Sequence, residues 1–88
     1  MTDGGNASRV KSVVEVLARA LADRPEDVQV VETQQKDKTL VEVYVAPIDL
    51  GKLIGKQVRM VAALRTLASS AGERDGRQVT LEIRDGKP

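Results

Sequence analysis

The sequence predicts one α+β domain of two layers, with helices on one face of a three-stranded sheet. An amphipathic helical stripe opens the chain, two β-rich runs follow it, and a second helical stripe precedes a last β-rich run. The 88 residues, 41% of them hydrophobic, suffice for one core and not for two. We expect the order α-β-β-α-α-β over residues 8–84, with flexible ends at 1–7 and 85–88.

The first helix is predicted to begin at Ser8. Its apolar residues recur at helical spacing and form one stripe: Val10, Val13, Val14, Leu17, Ala18 and Leu21. Pro25 disfavours a helical residue before it and ends the segment near Asp23.

Residues 28–33 and 39–45 are predicted to form two strands. The second alternates, so Val41, Val43 and Val45 share one face. The polar link "QQKDK", residues 34–38, suits a hairpin between antiparallel neighbours.

Two helices and a last strand complete the fold. Pro47 opens a short helix that Gly55 stops, and a longer helix runs from Val58 to Ala71, closed by Gly72. The predicted strand at 78–83 turns Val79, Leu81 and Ile83 inward. Helical spacing gives the longer helix this buried face: Met60, Val61, Leu64, Leu67, Ala68 and Ala71.

The composition argues against an enzyme. With neither Cys nor His, the chain lacks a thiolate, the usual general base and the commonest metal ligands, so we expect no catalytic residues and no metal site. No apolar run approaches the length of a membrane span and no signal-peptide pattern opens the chain, so a cytoplasmic protein without a membrane partner is expected.

The stretch "GKLIGKQVR", residues 51–59, is the candidate site. Lys52, Lys56 and Arg59 surround a predicted helix start, and no acid occurs from Leu50 to Gly72. Helix starts carry partial positive charge and unpaired N–H groups, which together bind anions such as phosphate. Gly55 as a mere helix stop is an equally good interpretation, because short Gly/Lys patterns are common. Tyr44 is the single aromatic residue, so binding of nucleic acid by base stacking on several rings is excluded.

The segment "VAPIDLGKLIGKQVRMVAALRTL", taken with the order α-β-β-α-α-β, resembles a type II KH domain. More narrowly, residues 8–83 are similar to small stand-alone bacterial KH proteins of the KhpA type, whose signature reads "APxDxGKxIGKQGR". The resemblance implies a cofactor-free, cytoplasmic binder of single-stranded RNA that acts in post-transcriptional regulation or as an RNA chaperone. It also implies a homodimer, or a heterodimer with a second KH-containing protein.

The resemblance assigns site residues by position. Gly55, Lys56 and Gln57 match the start of the GXXG loop that clamps the RNA backbone. Arg59 follows the loop, and Lys52 is a further cation beside it. Leu53 and Ile54 are expected to line the apolar groove that receives the bases.

Val58 departs from the pattern, because the family has the second loop glycine there. Glycine lets the RNA backbone approach closely, whereas valine is stiff and bulky. Two alternatives follow: an RNA-binding loop with a weaker grip, or a degenerate KH module that serves protein interaction or dimerisation.

Three further cations are weaker candidates. Arg65 could steer phosphate, but a solvated surface arginine is the favoured interpretation. Lys36 and Lys38 lie in the hairpin link, where Asp37 between them lowers the net positive charge. We favour a solvated role for these two lysines as well.

Overall fold

The computed structural model describes residues 5–74 and 76–88, with residues 5–8 described by their backbone alone. Three helices and three strands follow one another as predicted, joined after the first helix by a 3-10 turn at Pro25–Asp27. Their bounds are α1 Gly5–Leu21, β1 Gln29–Gln35, β2 Lys38–Val45, α2 Pro47–Gly55, α3 Val58–Arg74 and β3 Gln78–Asp85. The predicted α+β class and element order are confirmed.

The sheet has the order β1-β2-β3 and is mixed. β1 pairs antiparallel with β2, from Gln29 opposite Tyr44 to Gln35 opposite Lys38. β3 pairs parallel with β2. A parallel pair needs a crossover connection, and α2 and α3 form it here. The predicted hairpin is therefore confirmed, with a turn of two residues, Lys36 and Asp37, that is tighter than the five-residue link expected.

One face of the sheet carries the core. Val41, Val43 and Val45 are at most 1% exposed, and the buried residues of all three helices pack on that side. The opposite face holds Glu42 and Tyr44 half-buried. The members of the core cluster are aliphatic: Val10, Val14, Ala18, Val28, Val30, Val41, Val43, Val45, Leu53, Val61, Leu64, Ala68 and Leu81. Layers of helix and sheet around one core therefore form as the sequence predicts.

Three residues assigned to buried stripes are exposed instead. Val13 on α1 is 50% exposed, and Met60 and Leu67 on α3 are 50% and 53% exposed. The buried line of α3 is the narrower set Val61, Leu64 and Ala68. The predicted face was too broad, because helix period alone does not say how wide a stripe the neighbouring elements cover.

The prediction that Gly72 closes the longer helix is wrong. Gly72 is buried inside α3, which continues to Arg74. A Cβ on Gly72 would overlap Cγ2 of Val79 and lie 2.8 Å from the carbonyl oxygen of Arg77. Glycine is therefore present because β3 approaches α3 closely at this point.

The remaining differences concern boundaries. α1 begins at Gly5 rather than Ser8, and β3 continues to Asp85, with the Gly86 N–H bonded to the carbonyl of Val45 at 3.0 Å. Flexibility of residues 1–7 and 85–88 stays a prediction, and residues 1–4 lie outside the described part of the chain. No helix in the described ranges is long and apolar enough to cross a membrane.

Candidate functional site

α2 is fixed at its first turn by a buried carboxylate. Asp49 is 0% exposed and accepts hydrogen bonds from the backbone N–H groups of Asp23 and Arg24, at 2.8 and 3.0 Å. Burial of this polar side chain is tolerated because two donors compensate for its lost hydration. α2, and with it the loop that follows, is thereby tied to the segment after α1.

Lys52 reinforces the same attachment. Its Nζ lies 2.8 Å from Oδ1 of Asp23 and donates to the carbonyl of Leu21 at 3.3 Å. The ammonium group predicted to face an anion at the loop is therefore engaged with the end of α1. Lys52 belongs to the support of the site in this structure, and its contact with RNA stays a prediction.

The loop between α2 and α3 consists of two residues, Lys56 and Gln57. The N–H groups of both donate to the carbonyl of Lys52, at 2.7 and 3.1 Å. The carbonyl of Gln57 then accepts the first helical hydrogen bond of α3, from Val61 at 3.0 Å. The side-chain Oε1 of Gln57 is buried without a hydrogen-bond partner in the described ranges.

This geometry leaves the first N–H groups of α3 open. The backbone amides of Val58, Arg59 and Met60 make no hydrogen bond to any residue that the structure describes. A helix start has such unpaired donors unless a side chain caps them. Lys56 and Arg59 are exposed beside them and form no ion pair within the described ranges. Open donors, the helix dipole and two cations thus meet at one surface.

The two glycines of α2 have no internal role that requires glycine. A Cβ on Gly51 or Gly55 would meet no atom of the described residues within 4 Å, and neither glycine has a positive φ. No residue from 55 to 59 has a positive φ, so Val58 enters α3 without backbone strain. Glycine at position 58 is therefore not needed for the loop to fold.

An apolar groove starts beside this loop. It encloses about 190 Å³ and is lined by residues of α2, α3 and β3: Leu53, Ile54, Val58, Val61, Arg65 and Ile83. Ile54 is 63% and Val58 54% exposed, whereas Leu53 is buried and forms the floor. The structure thus places Leu53 and Ile54 in a groove beside the loop. It adds Arg65 to that groove, where the sequence favours a solvated surface residue. The contact of these residues with RNA stays a prediction.

A second, larger cleft lies between α1 and α3. It encloses about 600 Å³, and the exposed side chains of Val13 and Leu67 line it. Arg9 and Arg74 are also in its lining. The hairpin residues Lys36 and Lys38 contact neither this cleft nor the groove.

Comparison with known proteins places the chain in a family. The profile described as "KhpA/KhpB, KH domain" matches residues 11–83. A protein named RNA-binding protein KhpA from Halalkalibacterium halodurans is 42% identical over 86% of this chain and 100% of its own length. Proteins of the same name from Aquifex aeolicus and Clostridium perfringens are 41% and 40% identical, over 86% and 84% of this chain and 96% and 99% of theirs. No solved structure matches. The chain belongs to the KhpA/KhpB family of KH-domain proteins.

Proposed function

We propose that this protein binds single-stranded RNA by its sugar-phosphate backbone, at the loop Gly55–Val58 and the start of α3. The observation that carries the proposal is the set of open N–H groups at Val58, Arg59 and Met60 beside the exposed Lys56 and Arg59. Such donors bind phosphate oxygens without a cost of breaking internal bonds. Relatives that are about 40% identical are named RNA-binding proteins, which supports the same ligand class here.

The glycines of α2 support a close approach of the strand. Gly51 and Gly55 are exposed, and glycine in a helix costs about 1 kcal/mol relative to alanine. Because no internal contact or φ angle offsets that cost, an external ligand is the better explanation of the glycine at the loop. Backbone-to-backbone contact of this kind needs a surface without side chains.

Val58 weakens the binding of RNA at this loop without abolishing it. Its isopropyl group is part of the lining of the groove, as is Ile54, and its backbone has no positive φ that would disturb α3. The open amides follow from the backbone and are the same for any residue at position 58 except proline. We therefore favour a weaker RNA binder over the complete loss of binding.

Lys52 contributes indirectly in this proposal. Its carbonyl orders both loop residues and its ammonium group attaches α2 to the end of α1, so it shapes the site.

A second candidate function is protein contact, in a homodimer or with a second KH-containing protein. The cleft between α1 and α3 favours it, because Val13 and Leu67 line the cleft and are 50% and 53% exposed. Light scattering of the wild type and of Leu67→Gln distinguishes the two functions. If the wild type is a dimer that Leu67→Gln dissociates without loss of RNA binding, both functions are supported. If the wild type is a monomer that binds RNA, only RNA binding is supported.

The proposal of RNA binding includes a role in post-transcriptional regulation in the cytoplasm.

Titration with salt tests the proposal. Fluorescence anisotropy with mixed short RNA oligomers is expected to show affinity that falls with salt, with a slope of about −0.7 per phosphate contact. Lys56→Ala should remove one phosphate contact and make the slope shallower by about 0.7. The matched change Lys38→Ala at the hairpin should leave the slope unchanged. Absence of binding at micromolar protein, or equal effects of the two changes, would contradict the proposal.

A further inference from the structure

Arg65 is the one polar residue in the lining of the groove beside the loop. The other lining residues are aliphatic and come from three elements, α2, α3 and β3: Leu53, Ile54, Val58, Val61 and Ile83. A group that enters this groove therefore meets apolar surface on its faces and a guanidinium group at one edge.

The backbone of β3 holds that guanidinium in place. Nε of Arg65 donates to the carbonyl of Leu81 at 3.3 Å, and Leu81 is two residues before Ile83 on the same face of the strand. The terminal nitrogens of Arg65 have no hydrogen bond or ion pair to any described residue. Arginine has donors and no acceptor, so these nitrogens offer a fork of N–H groups to a ligand in the groove.

The shape and polarity of the groove select the part of RNA that enters. A phosphate group would lose hydration on the aliphatic walls and gain contact with one cation, which is unfavourable. A nucleobase is flat and apolar on its faces and polar at its edge, which matches the lining. Single-stranded RNA presents such edges unpaired.

We propose that Arg65 reads a base edge with two adjacent acceptors, O2 and N3 of cytosine or O6 and N7 of guanine. Adenine and uracil place an N–H donor next to the acceptor on the corresponding edges, and that donor repels the guanidinium fork. The inference rests on the proposed RNA binding at the loop and adds base selectivity to it. Arginine paired with two acceptors of guanine is a common specific contact in nucleic-acid recognition.

Six-nucleotide RNAs of the form AAXXAA, with X as A, C, G or U, test the inference by fluorescence anisotropy at low salt. The wild type should bind the C or the G oligomer about tenfold more tightly than the A and U oligomers. The separate C and G arms show which of the two bases the groove accepts. This measurement needs no variant, so it does not depend on the folding of one.

Arg65→Lys then separates base reading from charge. Lysine keeps the positive charge and loses the fork, so the preference should fall to about twofold while affinity for the A oligomer changes by less than about threefold. Arg59→Lys is the matched control, because a phosphate contact at the start of the same helix predicts equal changes for all four RNAs. Thermal unfolding of both variants verifies the fold.

The outcomes separate the two proposals. Binding of all four RNAs with equal affinity, or a preference that Arg65→Lys retains, would overturn base reading and leave backbone binding intact. Failure of all four to bind would overturn the proposed function itself.

Discussion

The two ends of α3 both have a glycine nearby, and the two glycines have opposite explanations. At the C-terminal end, Gly72 is buried under β3, where a Cβ would overlap Val79 and crowd the carbonyl of Arg77. At the N-terminal end, Gly55 is exposed and a Cβ would meet no described atom within 4 Å. One glycine is required by packing within the chain, and the other is not.

The same contrast extends to the neighbouring arginines. Arg77, beyond the C-terminal end, donates to Oγ1 of Thr39 at 3.0 Å and to the carbonyl of Lys38 at 3.1 Å, and so fastens β3 to the hairpin. Arg59, at the N-terminal end, is exposed and has no hydrogen bond or ion pair to the described residues. Neither Gly55 nor Arg59 is therefore explained by a contact with the described residues, and the end of α3 where they lie is the candidate site.

Gly72→Ala should give the largest effect. The added methyl group forces β3 away from α3, which should lower the free energy of unfolding by about 2–3 kcal/mol. Thermal or urea unfolding followed by circular dichroism measures it. The matched change Gly55→Ala should leave stability unchanged or raise it by up to about 1 kcal/mol. Equal losses at both positions would show that the two ends do not differ as the structure indicates.

Asp49→Asn should destabilise the protein by about 2 kcal/mol. The substitution keeps the shape of the side chain but turns one acceptor into a donor, which leaves one of the N–H groups of Asp23 and Arg24 buried without a partner. Urea unfolding measures the loss. The exposed residue Asp37 provides the control, since Asp37→Asn should change stability by less than about 0.5 kcal/mol. A neutral Asp49→Asn would mean that α2 is not held by this carboxylate.

Val58→Gly should raise affinity for single-stranded RNA about tenfold, or about 1.4 kcal/mol. Removal of the isopropyl group lets the strand lie closer to the open amides, at a cost of up to about 1 kcal/mol in helix stability. Val58→Ala is the informative control, because it reduces size without adding backbone freedom and should give part of the gain. If wild type and Val58→Gly bind equally, valine is tolerated at the contact. If neither binds and a protein partner co-purifies, the interaction hypothesis replaces the RNA hypothesis.

Gly51→Ala should have the smallest effect, a gain of about 0.5–1 kcal/mol in the free energy of unfolding. Gly51 is exposed inside α2 with free space around it, so alanine adds helix propensity without a clash. Urea unfolding detects the gain. A loss of stability instead would reveal a contact at Gly51 that the structure lacks.

The element order was predictable because local patterns determine it. The alternation of Val41, Val43 and Val45, the stripe on α1 and the position of Pro47 at the start of α2 each specify an element without knowledge of the others. The width of a buried face depends on neighbouring elements, which is why Met60 and Leu67 were assigned to the core incorrectly. Gly72 was misinterpreted for the same reason, since the residue that requires it, Val79, follows in β3.

The candidate site was predictable in part. The positions of Gly55, Lys56 and Arg59 follow from one contiguous motif, and the structure places them between the end of α2 and the first turn of α3. The engagement of Lys52 with Asp23 and the place of Arg65 in the groove depend on contacts between segments distant in sequence. Helical spacing offered one signal for Arg65, because it lies four residues after Val61 and therefore on the same side of α3.

Two-dimensional ¹H–¹⁵N NMR during titration with single-stranded RNA tests the central claim most directly. The amide resonances of Val58, Arg59 and Met60 should shift the most, and residues that line the cleft between α1 and α3, such as Val13, should shift little. Resonances at the start of α3 that stay in place while those of another surface move would contradict the claim that these open amides hold the RNA backbone.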